Sequence, residues 1–354
     1  MSEPVTVGTV VIGAGQAGLA AGYQLARRGH DFVIVDAADT IGAAWRRRWD
    51  SLRLFTPSAF THLPALPLPA GIGRYPSKDD VADYLGQYAE RFCLPVRLNT
   101  RVDSVIRAGG GFAVAAGDLQ WRAFNVVVAT GAHTAAVVPG FAEQLDPAIV
   151  QIHSPDYRRP SQVSPGTVLV VGAGNSGAEI ALDLAASPVG ERRVLLSGRD
   201  VGHAPRLGPL TYPLMQRLGR TGALVARRAL GGGGDPLGRV RPGELEAAGV
   251  ERVPRVVAIR DGAPVLEDGR LLAPRAVVWC TGLRPDHGWL HVDAFDADGR
   301  LRHRNGVVRD VPGLYVVGLP WQRSIASHLL GGVGADAEHV VRRLAARSAA
   351  CAAS

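Results

Sequence analysis

The sequence predicts an α/β protein built from two Rossmann-like dinucleotide-binding domains, and three observations carry that expectation. The hexapeptide GAGQAG, with Gly13, Gly15 and Gly18, returns as GAGNSG, with Gly172, Gly174 and Gly177. Each copy follows an apolar, β-branched run and opens a helical pattern, the context that makes a glycine pattern specific. Strand and helix patterns also alternate along much of the chain, which argues for parallel sheets with helices on both faces.

Residues 5–12 read as a buried strand, 15–28 as a helix ended by Gly29, and 31–35 as the next strand, completing one βαβ unit. A proline- and glycine-rich loop follows at 64–76. A helix is expected over 77–92, with Asp79 and Asp80 in its first turn, where carboxylates complement the helix dipole. Residues 102–107, 112–116 and 121–129 read as a small antiparallel sheet returning to the main one. The segment 154–166, with Pro155, Pro160 and Pro165, reads as a linker. A second βαβ unit occupies 167–171, 175–186 and 193–197, with Ser187, Pro188 and Gly190 in its turn. Residues 201–240 lack a clear period and carry a glycine run at 231–234, which suggests an excursion over a substrate site. Buried strands are expected at 277–280, ended by Thr281 and Gly282, and at 314–317, ended by Gly318. A final helix is expected over 335–347.

A chain of 354 residues suits two domains, each burying its own core. Its 47% hydrophobic and 20% charged residues describe a globular protein. No run of about 18 apolar residues is long enough to span a bilayer, and no charged-then-apolar leader stands at the N-terminus, so a cytoplasmic location is expected. Cys93, Cys280 and Cys351 lie far apart, without CxxC or metal-ligand spacing. Neither a redox disulfide nor a metal site is expected. The net charge of +7 is carried almost wholly by arginine, Lys78 being the only lysine. The arginines are dispersed without interleaved aromatics, so nucleic-acid binding is not expected.

The glycine turns carry the chemistry. Gly13 makes the tight turn, Gly15 lets backbone approach a pyrophosphate, and Gly18 lets the helix pack; Gln16 opens that helix. Asp36 ends the second strand 23 residues after Gly13. There an acid accepts hydrogen bonds from ribose hydroxyls and repels a 2′-phosphate, favouring FAD or NAD over NADP. In the second unit Asn175 and Ser176 open the helix, and the matching strand end reads Ser197, Gly198, Arg199. A guanidinium there, with no carboxylate at the strand end itself, favours NADPH, although Asp200 follows directly and opposes it. Two nucleotides on one chain suggest an electron donor and an electron acceptor in one enzyme.

These features resemble the flavin-containing monooxygenases, especially their short bacterial members, over nearly the whole length. Further motifs add to the likeness: IGAAW at 41–45, YPSKDDVADYL at 75–85, ATG at 129–131, WCTG at 279–282 and LYVVG at 314–318. The resemblance implies FAD at the first unit, with Gly42, Trp45, Val102, Thr130, Gly131 and Gly318 on its side. It implies NADPH at the second, with Thr281 and Gly282. ATG and WCTG then become crossings between domains, so the FAD domain is discontinuous: 1–158 and 285–354, around an NADPH domain at 159–284. The family fingerprint before the NADPH unit is partly kept. His153 and Tyr157 hold their places, while Pro147 and Ile149 stand at the phenylalanine and glycine positions. The segment SLRLFTPSAF at 51–60 resembles the one passing the flavin's reactive face, but Phe55, Thr56 and Pro57 replace an asparagine of the eukaryotic members. His153, Tyr157 and Arg53 are the weak catalytic candidates, with His62 nearby.

The implied activity is an NADPH- and dioxygen-consuming monooxygenation of a small sulfide or amine through a flavin 4a-hydroperoxide. This accounts for the lack of a conspicuous nucleophile-and-base triad, because the cofactors carry the oxidation. Other activities stay open: an NADPH oxidase or flavin reductase releasing hydrogen peroxide, Baeyer–Villiger oxidation of ketones, or a non-enzymatic redox-sensing flavoprotein. Tyr157 stands where dedicated Baeyer–Villiger enzymes carry tryptophan. A homodimer is implied by the resemblance, without a segment that marks the interface.

Overall fold

A computed structural model describes residues 3–132, 134–188, 190–204 and 236–353. The expected excursion over 201–240 therefore lies mostly outside the described residues, which include only its two ends.

Two sheets organise the chain. Among the described residues the larger has ten strands, with Val5–Ile12 between Phe32–Val35 and Leu119–Val128, parallel to both. Parallel strands covered on both faces must be apolar on both sides of the pleat. Val10, Val11, Ile34, Val35, Val126, Val127 and Val128 are accordingly almost fully buried. Each such side chain contributes about 1.5–3 kcal/mol by leaving water. Leu119–Val128 serves two neighbours: its first half pairs antiparallel with Gly111–Ala116, and its last residues pair parallel with Leu314–Val316. That strand joins the small antiparallel sheet to the main one.

The smaller sheet has five parallel strands in the order Glu251–Val253, Arg192–Ser197, Gly166–Val171, Ala276–Trp279, Val150–His153. Because Val150–His153 pairs with Ala276–Trp279, residues before 158 already belong to the second sheet, so the expected boundary at 158 is placed too late. The two crossings instead pair with each other: Ala135–Ala136 runs antiparallel to Leu283–Arg284. Paired crossings bring the glycine turns of both units to neighbouring ends of the two sheets.

The helix expected over 77–92 spans Lys78–Arg91. Ser77 caps it: its Oγ accepts from Asp80 N, while the Asp80 carboxylate accepts from Ser77 N, closing a capping box. Tyr84 Oη donates to Leu66 O and accepts from Leu63 N, and Tyr88 Oη donates to Pro64 O. These contacts tie down the proline-rich loop. Two hairpins escaped the sequence reading, Val256–Arg260 with Ala263–Leu266 and His303–Arg304 with Val307–Val308. Their turns are Asp261–Gly262 and Asn305–Gly306, both with positive φ at each position, the dipeptides that two-residue hairpin turns demand. The final helix is longer than expected, Leu330–Ala353. No helix among the described residues is long and apolar enough to cross a membrane.

Candidate functional site

The two glycine turns are near copies. Gly13 and Gly172 take φ of 108° and 107°, and Gly15 and Gly174 cap the following helices with extended backbone. A Cβ on Gly18 would be driven into the Gly13 carbonyl oxygen, and one on Gly177 into that of Gly172. The turns are closed against backbone from the crossings, Ala129 in the first unit and Cys280 in the second. Only the middle glycine differs: a Cβ on Gly15 or Gly174 meets nothing within 4 Å. Each turn therefore opens onto free space at an uncapped helix N-terminus with no acid in its first turn, where backbone N–H groups and the helix dipole favour a phosphate.

Around the first turn the structure gathers most of the predicted residues. Asp36 Oδ2 accepts from Ala14 N at 2.6 Å and Oδ1 from Ala38 N at 2.8 Å, so its charge lies on the rim of the turn. Gln16 Oε1 accepts from Trp45 Nε1, and its amide nitrogen donates to His328 O. Thr130 Oγ1, at the end of the strand beside Gly13, is buried without a hydrogen-bond partner. An orphaned hydroxyl beside an open phosphate-binding turn fits a bound dinucleotide. Gly131 follows it with φ of 77°, and Gly318, with φ of 91°, has no room for a side chain against Ala17. Val102 buries its side chain in the core, two residues beyond Thr100, whose N–H donates to Asp36 O. Gly42 has another explanation: its left-handed φ and the backbone of Ala82 exclude a side chain, so it serves helix packing.

The second turn carries a different rim. Arg199 is exposed and has no ion-pair partner among the described residues, while Asp200 is turned into a local bend, accepting from Gly202 N. Arg252, on the adjoining strand, donates to Gly198 O at 3.2 Å and sets a second guanidinium at the same strand end. Ser197 departs from expectation. Its side chain is fully buried, donating to Pro254 O and accepting from Val256 N, so its hydroxyl is withdrawn from any ligand. Thr281 Oγ1 likewise donates to Val137 O across the crossings, beside Gly282, whose carbonyl accepts from Val137 N. Asn175 grips the chain just past the undescribed segment: Nδ2 donates to Pro236 O and Oδ1 accepts from Gly238 N. Ser176 starts the same helix and is half-buried.

The segment 51–60 meets this second unit. Phe55 lies against Gly238 so closely that a Cβ there would fall 2.7 Å from the ring. Thr56 is buried, and its hydroxyl and carbonyl oxygens accept from Thr61 Oγ1. No group of three or more His, Cys, Asp or Glu side chains that could hold a metal occurs among the described residues.

Residues 10–206 match the family described as pyridine nucleotide-disulphide oxidoreductase. The chain is 38% identical to an uncharacterized CzcO-like oxidoreductase of Geobacillus kaustophilus, over 95% of its own length and 97% of the relative's. It is 32% identical to a probable indole-3-pyruvate monooxygenase, YUCCA7, of Arabidopsis thaliana, over 80% of this chain and 76% of that one. The structure of a flavin-containing monooxygenase from Stenotrophomonas maltophilia superposes with a TM-score of 0.80 at 32% identity, covering 97% of this chain and 99% of the other. The chain belongs to the pyridine nucleotide-disulphide oxidoreductase family. Within it, the protein is a flavoprotein oxidoreductase of the flavin-monooxygenase type.

In this oxidoreductase Cys93, Cys280 and Cys351 form no disulfide. Burial pushes the Cys280 thiol up to about 12, and a thiol held protonated is a poor redox nucleophile. The weak catalytic candidates separate clearly. Tyr157 is fully buried and donates to Asp183 Oδ2 at 2.7 Å; burial and Asp183 push its pKa far above the usual phenol value, so it is structural rather than catalytic. Arg53 is exposed, 4.0 Å from Asp80 on the helix it flanks. His62 is exposed, with Nδ1 3.2 Å from Leu63 O. His153 ends a strand opposite Trp279, with a buried Nδ1 that lacks a hydrogen-bond partner, and alone keeps a place near the crossings.

The sequence reading also missed Trp321. It holds φ of 60°, a left-handed backbone that costs a bulky residue about 1–3 kcal/mol, three positions after Gly318. Buried Gln322 beside it is tied to Leu319 N and Val316 O. The pairing of Trp with a glycine-ended strand is visible in the sequence, but the strain is not.

Proposed function

We propose that the first unit holds FAD, the second NADPH, and that the protein uses NADPH and dioxygen to oxygenate a small sulfide or amine. The observation carrying this reading is the inequality of two otherwise matching turns: a carboxylate, Asp36, on one rim, and the guanidinium groups of Arg199 and Arg252 on the other. When bound, FAD and NADPH would supply the redox chemistry, hydride transfer and reduction of dioxygen, that no side chain of the chain provides.

The chain's own residues bind, orient and exclude water. Backbone N–H groups after Gly15 and Gly174 take the two diphosphates. Asp36 accepts from ribose hydroxyls, and the Thr130 hydroxyl finds its partner on the first nucleotide. Arg199 and Arg252 take a 2′-phosphate. Asn175 holds residues 236–238, which seat Gly238 on Phe55 and keep water from that segment.

One observation favours a second reading, an NADPH oxidase that releases hydrogen peroxide. Thr56 stands within the segment where eukaryotic relatives carry asparagine, but its hydroxyl is buried against Thr61 and supplies no free donor in its stead. Incubation with NADPH, an alkyl aryl sulfide and labelled dioxygen separates the readings. One labelled sulfoxide per NADPH supports monooxygenation, whereas stoichiometric peroxide without sulfoxide leaves the oxidase. Arg199→Ala and Arg252→Ala should each lower the NADPH to NADH ratio of kcat/KM about tenfold, the worth of one charge-assisted contact. An unchanged ratio in both would remove the phosphate assignment.

A further inference from the structure

Asn175, Glu179 and Asp183 recur at four-residue spacing along the helix Asn175–Ala185, so they share one face. Each holds a different part of the molecule. Asn175 grips residues 236–238, and Asp183 accepts the hydroxyl of Tyr157. Between them Glu179, only 6% exposed, lies 3.6 Å through Oε1 from Arg239 Nε, and the indole N–H of Trp49 faces the same carboxyl from beyond hydrogen-bond distance.

This middle contact is incomplete. Glu179 Oε2, Arg239 Nε and Trp49 Nε1 are all buried without hydrogen-bond partners. A buried ion pair that leaves such atoms unsatisfied does not recover the desolvation of its charges. Its position gives it reach: Arg239 follows Gly238, which packs on Phe55, and Trp49 precedes the segment carrying Phe55.

We propose that Glu179 is a positioning residue which, through Arg239 and Trp49, sets how tightly the second nucleotide unit and residues 236–241 are seated on segment 49–57. Its proton decides the seating. Burial pushes the carboxyl up to about 7, against the downward pull of Arg239 and of the Trp49 N–H. The groups facing it are Arg239 from residues 236–241, the neutral indole of Trp49 from the first unit, and Asp183 one turn along its own helix, already bonded to Tyr157. An unseated, hydrated Glu179 would return to the ordinary carboxylate range. The seated form therefore holds a proton that the unseated form releases, so seating is favoured below about 7 and loosens as pH rises through it.

Hydrogen exchange of peptides spanning 49–57 and 236–241 tests this, with FAD-loaded wild type, Glu179→Gln and Arg239→Met across neutral pH, corrected for intrinsic rates. Exchange in both wild-type peptides should rise several-fold through about pH 7. In Glu179→Gln that step should vanish and the peptides should stay protected. In Arg239→Met the midpoint should move upward, because the cation holding the carboxyl down is gone. A step that persists in Glu179→Gln, or a midpoint that stays put in Arg239→Met, overturns the proposal. Its consequence for hydride delivery rests on the NADPH reading: stopped-flow reduction of the flavin by NADPH should follow the same midpoint, while reduction by dithionite stays flat. A flavin that NADPH does not reduce would sink that reading and leave the exchange result to decide Glu179.

Discussion

At the residue scale, the three glycines of a turn are needed for different reasons, and substitution separates them. Gly15→Ala places its methyl in open space on permitted backbone, so stability should change by less than about 0.5 kcal/mol. FAD retention should fall about tenfold, because the methyl stands where the diphosphate approaches. Gly18→Ala drives its methyl into the Gly13 carbonyl and should cost about 3 kcal/mol in urea denaturation. Equal effects of the two on both measurements would contradict the cradle. Tyr157→Phe should lower stability by about 2 kcal/mol, by removing a hydrogen bond to a carboxylate, while kcat is unchanged. A large drop in kcat with intact stability would restore Tyr157 to the chemistry.

At the element scale, the strands and helices of the two βαβ units were legible because hydrophobic period and glycine punctuation agree. Ser77, followed three residues later by Asp80, also announced its helix, although only the dipole, not the reciprocal capping bonds, was read from it. Ser77→Ala should cost about 1 kcal/mol in thermal or chemical denaturation. The same change should loosen the loop that Tyr84 and Tyr88 hold, seen as faster proteolysis within 64–76. The two missed hairpins had a readable signal in Asp261–Gly262 and Asn305–Gly306. The strand at Val150–His153 had none, since four residues of alternating polarity, VQIH, do not say which sheet they will join.

At the scale of the whole molecule, burial places carboxyl groups where pH governs stability. Asp336 is 2% exposed, and burial pushes its carboxyl up to about 6 against the pull of Ser327 and Arg323. The folded state then binds a proton that the unfolded chain, with an ordinary carboxylate, releases. Stability from this group is present at low pH and lost as pH rises through about 6. Asp336→Asn should therefore be about 2 kcal/mol more stable than wild type at pH 8 and nearly equal to it at pH 4 in urea denaturation. A wild type that loses no stability relative to the variant between those pH values would contradict this. The fold also gathers arginines that are scattered in the sequence. Arg302, Arg304, Arg309 and Arg343 line neighbouring surface cavities of about 480 Å³ each.

The sequence by itself determined the two dinucleotide turns, the strands that feed them and the contrast between Asp36 and Arg199, because those features are local: glycine conformation, side-chain period and the charge at a strand end. Only the tertiary structure decided that the crossings pair with each other, that Ser197 and Tyr157 turn inward, that Arg252 joins Arg199, and that Glu179 meets Arg239 and Trp49. Those outcomes depend on which surfaces become buried together, and burial is a property of neighbours that are distant along the chain.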